Sequence, residues 1–208
     1  MARFVTLLKR FHDDDNGSMS VEFVLVAPIL AWVFLSCIVY FDVFGVETNS
    51  LRSTITLAEL FSREETVNDE FINNARSVLQ ELTYEESDPD YRITVFTFFG
   101  GNPTDPDDDV YRVVWADNRG MDAELTDADL LVLQNAGRLP IMSEADHNIL
   151  IETRVAYDAP LSVGIGTFQA FDLADLSFTN DMLIRPRSGK LCYDPTPSFD
   201  GDETCEPP

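Results

Sequence analysis

The feature that most constrains this chain is an uninterrupted apolar run near its beginning. Residues 23–41, FVLVAPILAWVFLSCIVYF, contain no charged side chain over 19 positions. As a helix rising about 1.5 Å per residue, this run matches the hydrocarbon thickness of a bilayer. A helix of a soluble protein normally keeps a polar stripe, and here only Ser36 and Cys37 interrupt the apolar pattern. The run predicts a membrane-spanning helix, with a buried core helix as the alternative.

The residues around the run predict its orientation. Arg3, Lys9 and Arg10 precede it, whereas Asp42 and Glu47 follow it. By the positive-inside rule the N-terminus is cytoplasmic and the rest of the chain lies outside the inner membrane. The run ends in bulky aromatic residues rather than small ones, which disfavours an ordinary cleaved signal peptide.

The charge balance excludes several kinds of partner. The chain has 14 Lys and Arg against 37 Asp and Glu, a net charge of −23. Binding to a nucleic acid requires clustered basic residues, and none is present. We therefore expect no nucleic-acid partner, and contact with the lipid bilayer through the apolar run alone.

Gly17 lies five positions before Glu22, the acidic residue at the beginning of the apolar region. Gly17 is followed by Ser18, and Glu22 by Phe23. Residues 17–28, GSMSVEFVLVAP, resemble the N-terminal motif of TadE-like minor pilins, or pseudopilins, of the tight-adherence (Flp-type, type IV-related) pilus. The resemblance is strong over about thirty residues, and over the rest of the chain it extends only to the general arrangement of a membrane helix followed by a domain. Major Flp pilins are very short and usually carry Glu-Tyr, so the resemblance is to a minor subunit.

The resemblance implies a processing site and a set of partners. A prepilin peptidase would cut between Gly17 and Ser18 and methylate the new N-terminus, which leaves Glu22 at the fifth mature position. Other pilin and pseudopilin subunits and the inner-membrane assembly platform would be further partners. The mature protein would stay in the inner membrane with a periplasmic domain, or enter the extracellular pilus.

Physical chemistry supports the same role for Glu22. An ionised carboxylate costs on the order of 2–4 kcal/mol at mid-bilayer and less near the edge, so it favours a cationic partner. Cleavage would create one, the ammonium group of Ser18, in the same chain or in a neighbouring subunit. The alternative is that Glu22 lies in the headgroup region beside an uncleaved leader. Pro28 removes a hydrogen bond inside the helix and tends to kink it, which can help packing around a fibre core; the alternative is an ordinary, tolerated proline of a membrane helix.

Beyond the membrane the patterns predict an α+β fold. Helical spacing continues into an amphipathic stalk, and Thr66 with Asp69 suggests the cap of a second helix. Residues 91–99, 110–116 and 149–157 read as strands, residues 176–184 as a weaker one, and Thr126 caps a short helix that ends at Gly137. A long N-terminal helix followed by a small antiparallel sheet with covering helices is a pilin-like plan. The predicted apolar face of the stalk consists of Thr48, Leu51, Ile55, Ala58 and Phe61. The predicted segments are a leader (1–17), an assembly helix (18–46), the stalk with the second helix (47–83), an α+β domain (84–190) and a C-terminal tail (191–208).

The chain offers little for catalysis or metal binding. Its two histidines are His12 and His147, too few for a histidine-based metal site or a catalytic triad. The acidic loop 105–109 has oxygen ligands for Ca²⁺ but not the spacing of an EF-hand, which favours a solvated loop. Gly164-Ile165-Gly166 is too short for a dinucleotide fingerprint. We expect no metal, no cofactor and no enzymatic activity.

Cys192 and Cys205 lie near the C-terminus, separated by twelve residues rich in Pro, Asp and Gly. In an oxidising compartment this pair predicts a disulfide, with two free thiols as the alternative. Cys37 lies in the apolar run and reads as a small apolar side chain.

These observations predict a minor pilin or pseudopilin that takes part in pilus assembly after cleavage behind Gly17. The first alternative is an uncleaved, single-pass membrane protein whose acidic domain binds a partner or surface. The second is a membrane-tethered enzyme, which the missing nucleophile–base set disfavours.

Overall fold

A computed structural model describes residues 18–83, 89–100, 110–139, 146–157, 164–165, 168–169, 176–195 and 205. The protein combines helices with small β-sheets, as the sequence predicts. The helices are α1 (Ser18–Ser62), α2 (Asp69–Thr83) and α3 (Asp127–Asn135). The strands are β1 (Thr66–Val67), β2 (Asp90–Phe99), β3 (Val110–Arg119), β4 (His147–Ala156), β5 (Gly164–Ile165), β6 (Phe168–Gln169), β7 (Ser177–Ile184) and β8 (Cys192–Tyr193).

The chain divides into two compact units. One contains Met1–Phe44 with Ala159–Asp172, and the other contains Gly45–Asp158 with Leu173–Pro208. In the first unit the described elements are the first part of α1 and the antiparallel hairpin β5–β6. The second unit holds the main sheet and its helices.

The main sheet has four antiparallel strands in the order β3-β2-β4-β7. Ile93 of β2 pairs with Ile151 of β4, which in turn pairs with Met182 of β7. A register shift between Val95 and Phe96 marks a bulge in the pairing with β3. The sequence predicts all four strands, β2 from its dense β-branched and aromatic residues and β4 from its alternation of apolar and polar residues.

One face of this sheet forms the larger hydrophobic core with α2 and the end of α1. The two helices contribute side chains such as Phe61 and Ile72, and the sheet contributes Tyr91 and Ile93, all fully buried. Leu191, from the C-terminal region, completes this core. Fully burying such side chains contributes about 1.5–3 kcal/mol each before the entropy of ordering is subtracted.

The other face carries a smaller cluster under α3, which includes Phe96, Tyr111 and Leu130. The predicted cap of α3 is confirmed: the Asp129 carboxylate accepts from the Thr126 backbone N–H at 2.8 Å and from its hydroxyl at 2.7 Å. These bonds hold the pKa of Asp129 below its usual value. Gly137 follows the helix with φ +68°, a left-handed conformation that suits glycine.

The start of α2 differs from the prediction. Its cap is Asn68, whose Oδ1 accepts from the Phe71 N–H at 2.8 Å, so the predicted cap at Thr66 is wrong. Thr66 instead lies in β1 and pairs with Cys192 in a two-stranded parallel sheet. A pairing partner 126 residues away in the sequence therefore replaces the local capping pattern.

Candidate functional site: the exposed apolar helix

Helix α1 carries the residues on which the functional hypothesis depends. Its first residue is Ser18, whereas Gly17 and the rest of the predicted leader 1–17 lie outside the described residues. Glu22 lies four positions after Ser18 and is exposed. Residues four apart share one face of a helix, so position 22 and the start of α1 are close in space.

The first part of α1 exposes a large apolar surface. Of the most apolar 18-residue window, only 6% is buried, and the helix is long and apolar enough to cross a membrane. This low burial distinguishes it from the core helix of a folded domain, the alternative that the sequence left open. The large exposed side chains in this part are Val21, Phe23, Val24, Leu25, Val26, Ile29, Leu30, Val33, Phe34, Leu35, Ile38, Tyr40, Phe41 and Phe44.

Three residues depart from the regular pattern of this apolar helix. Pro28 lies inside the helix and has no N–H to donate to the Val24 carbonyl. The Trp32 Nε1 and Ser36 Oγ atoms are buried and have no hydrogen-bond partner among the described residues.

The second part of α1 packs on the main sheet through small hydroxyl side chains. The Thr54 and Thr153 hydroxyl oxygens lie 2.6 Å apart, and the Asn180 side-chain amide donates to the Ser50 hydroxyl at 2.8 Å. Ser50, Ser53 and Thr54 are buried, whereas Leu51 and Ile55 are exposed. The apolar face predicted for the stalk is therefore packed only at its end, at Ala58 and Phe61. The signal that could have predicted this buried face is the spacing of its small hydroxyl residues, since Ser53 and Thr54 follow Ser50 by three and four positions.

The predicted disulfide is present. Cys192 and Cys205 are bonded with a Cα–Cα distance of 4.6 Å, and Cys37 is a free, exposed cysteine on α1. Trp115 Nε1 donates to the Leu191 carbonyl at 3.0 Å, directly beside the bridge in the sequence. The disulfide thus closes a tail that begins in the core and pairs with β1.

His147 lies in the core next to the same tail. Its Nδ1 lies 3.2 Å from the Leu191 backbone nitrogen and 3.3 Å from the Leu191 carbonyl oxygen, and only 3% of the residue is exposed. Burial lowers the pKa of His147, because the charged imidazolium would lose its hydration. The imidazole thus forms a structural hydrogen bond with the backbone of the tail.

Among the described residues no group of three or more His, Cys, Asp or Glu side chains is placed to hold a metal ion. The predicted acidic loop 105–109 and His12 lie outside those residues. Comparison with known proteins gave no match to a family model, to a curated protein or to a solved structure.

Proposed function

We propose that this protein is a minor pilin or pseudopilin of a tight-adherence type pilus, processed behind Gly17. The observation that supports this most is an exposed apolar helix in which Glu22 follows Ser18 by four residues. The proposed work is assembly: the helix packs among other pilin subunits, and the acidic domain faces the periplasm. Its proposed partners are a prepilin peptidase, other pilin and pseudopilin subunits and the assembly platform of the inner membrane.

The charges of the helix start give this proposal a mechanism. After cleavage the Ser18 ammonium and the Glu22 carboxylate would neutralise each other, within a chain or between neighbouring subunits. Neutralising both charges lowers the cost of holding the helix start in an apolar environment.

The test of processing is intact mass and N-terminal sequencing of the protein extracted from the membranes of its host. We expect a mature chain that begins at Ser18 with one added methyl group. A Gly17→Ala variant should retain the leader. A chain that keeps residues 1–17 in both cases would contradict the proposal and favour an uncleaved, single-pass anchor.

The test of assembly compares two acids on the same helix. Glu22→Gln should abolish incorporation into sheared pilus fractions while the protein remains in the membrane. Asp42→Asn is the matched control, since Asp42 is also exposed on α1 but lies at the other end of the apolar run. Equal incorporation of both variants would contradict the role proposed for Glu22.

A further inference from the structure

Helix α1 carries a second apolar stripe beyond the apolar run. Thr48, Leu51 and Ile55 follow one another at spacings of three and four residues. Leu51 is 48% exposed and Ile55 is 45% exposed, although neighbouring positions of the same helix are packed on the sheet. In the sequence the same spacing extends back to Phe44 and Phe41. Alternating steps of three and four define the contact face of a helix that packs along another helix.

Two opposite charges flank this stripe. Glu47 precedes Thr48 and Arg52 follows Leu51, so in heptad terms they occupy the g and e positions, and both are exposed. In a parallel pair, a g residue lies beside the e residue five positions later in the other helix. The separation here is five, so Glu47 of each chain would face Arg52 of the other. No ion pair joins either residue to another part of the chain that the structure describes.

We propose that a second copy of this chain packs in parallel along the face formed by Thr48, Leu51 and Ile55. Two-fold symmetry would form the Glu47–Arg52 pair twice, whereas an antiparallel arrangement would place like charges together. Exposed ion pairs contribute little energy, so these two set orientation and register. The apolar face and confinement to one membrane supply the association.

This inference rests on the proposed function only for the membrane placement of α1, which makes the two helices parallel. It requires neither cleavage behind Gly17 nor entry into a pilus. Retention in the membrane after carbonate washing tests that placement by itself. An uncut but membrane-bound chain would refute the pilin proposal and leave the pairing to be decided by cross-linking.

The experiment is disulfide cross-linking of the full chain, purified and reconstituted in phosphatidylcholine vesicles. In a Cys37→Ala background, Leu51→Cys should form a covalent dimer on mild oxidation. Val78→Cys is the control, since Val78 is 42% exposed on α2 but lies off the proposed face. We expect a several-fold higher dimer yield at position 51. Equal yields at the two positions would overturn the proposal.

A charge exchange tests the orientation. Glu47→Arg should reduce the cross-linking of the Leu51→Cys chain several-fold, because Arg would then face Arg52. Adding Arg52→Glu should restore it. Failure of the exchange to restore cross-linking would refute the parallel register. If position 51 cross-links only to a different protein in host membranes, and not to itself in vesicles, the face binds another partner and the second-copy proposal is wrong.

Discussion

The hydroxyl groups of Thr54 on α1 and Thr153 on β4 lie 2.6 Å apart, with both side chains buried. The Thr54 hydroxyl also donates to the Ser50 carbonyl at 2.9 Å, so it accepts the hydrogen of Thr153. This short chain of hydrogen bonds fixes the second part of α1 to a central strand of the sheet. It makes that part of the helix a component of the folded domain.

The pair should show strong coupling in a double-mutant cycle. Thr153→Val leaves a buried acceptor unsatisfied, at a cost of about 1–3 kcal/mol in the free energy of unfolding. Thr54→Val should cost a similar amount, because it leaves the Thr153 donor without its partner. The double variant should lose clearly less than the sum, because both hydroxyls are then gone. Urea unfolding of the detergent-solubilised chain measures all three, and strict additivity would show that the two groups do not interact.

The disulfide should stabilise the tail that enters the core. Cys192 and Cys205 are 13 residues apart, and closing a loop of this size contributes about 3 kcal/mol in the chain-entropy model. We therefore expect Cys192→Ala with Cys205→Ala to lower the unfolding midpoint markedly. Cys37→Ala is the control, because that cysteine is free and exposed. Equal midpoints for the double variant and the control would refute a stabilising role for the bridge.

His147 should make the domain sensitive to mild acid. Burial lowers its pKa and Lys190 lowers it further, while hydrogen bonds to the Leu191 and Cys205 backbone and the Asp146 charge act in the opposite direction. Because the folded pKa lies below the unfolded value of about 6.5, the unfolded chain binds the proton more readily. Stability is therefore fully present above pH 6.5 and falls as the pH drops towards the folded pKa.

The measurement is the urea midpoint at pH 7.5 and at pH 5.5. The wild-type chain should lose more stability between these values than the His147→Gln variant, which has no imidazole at position 147 to protonate. Other acidic groups titrate equally in both chains, so the difference between the two losses isolates His147. An identical loss in both would contradict the assigned pKa direction.

Elements whose signal is local can be predicted from the amino-acid sequence alone. The apolar run at 23–41, the dense β-branched strands, the Thr126 cap with its stop at Gly137 and the Cys192–Cys205 pair all follow from neighbouring residues. In these cases propensity, spacing or chemistry does not depend on what packs against the segment. A charge-free run of this length favours an apolar environment whatever the rest of the chain does.

Which face of α1 packs on the sheet depends on the tertiary structure. Hydropathy places Leu51 and Ile55 on one apolar face of the stalk, but the buried face is the one with Ser50, Ser53 and Thr54. These small side chains can be buried because their hydroxyls are satisfied: Ser53 donates to the Asn49 carbonyl at 2.7 Å, and Thr54 to that of Ser50.

The cap of α2 and the place of His147 depend on the same kind of distant partner. Thr66 pairs with Cys192 in β1, and Asn68 caps the helix instead. His147 is buried beside Leu191, with whose backbone it forms a hydrogen bond. All of these outcomes rest on contacts between residues far apart in the sequence. No local pattern records such contacts, because the energy of a buried hydrogen bond or a strand pairing exists only once both partners are in place.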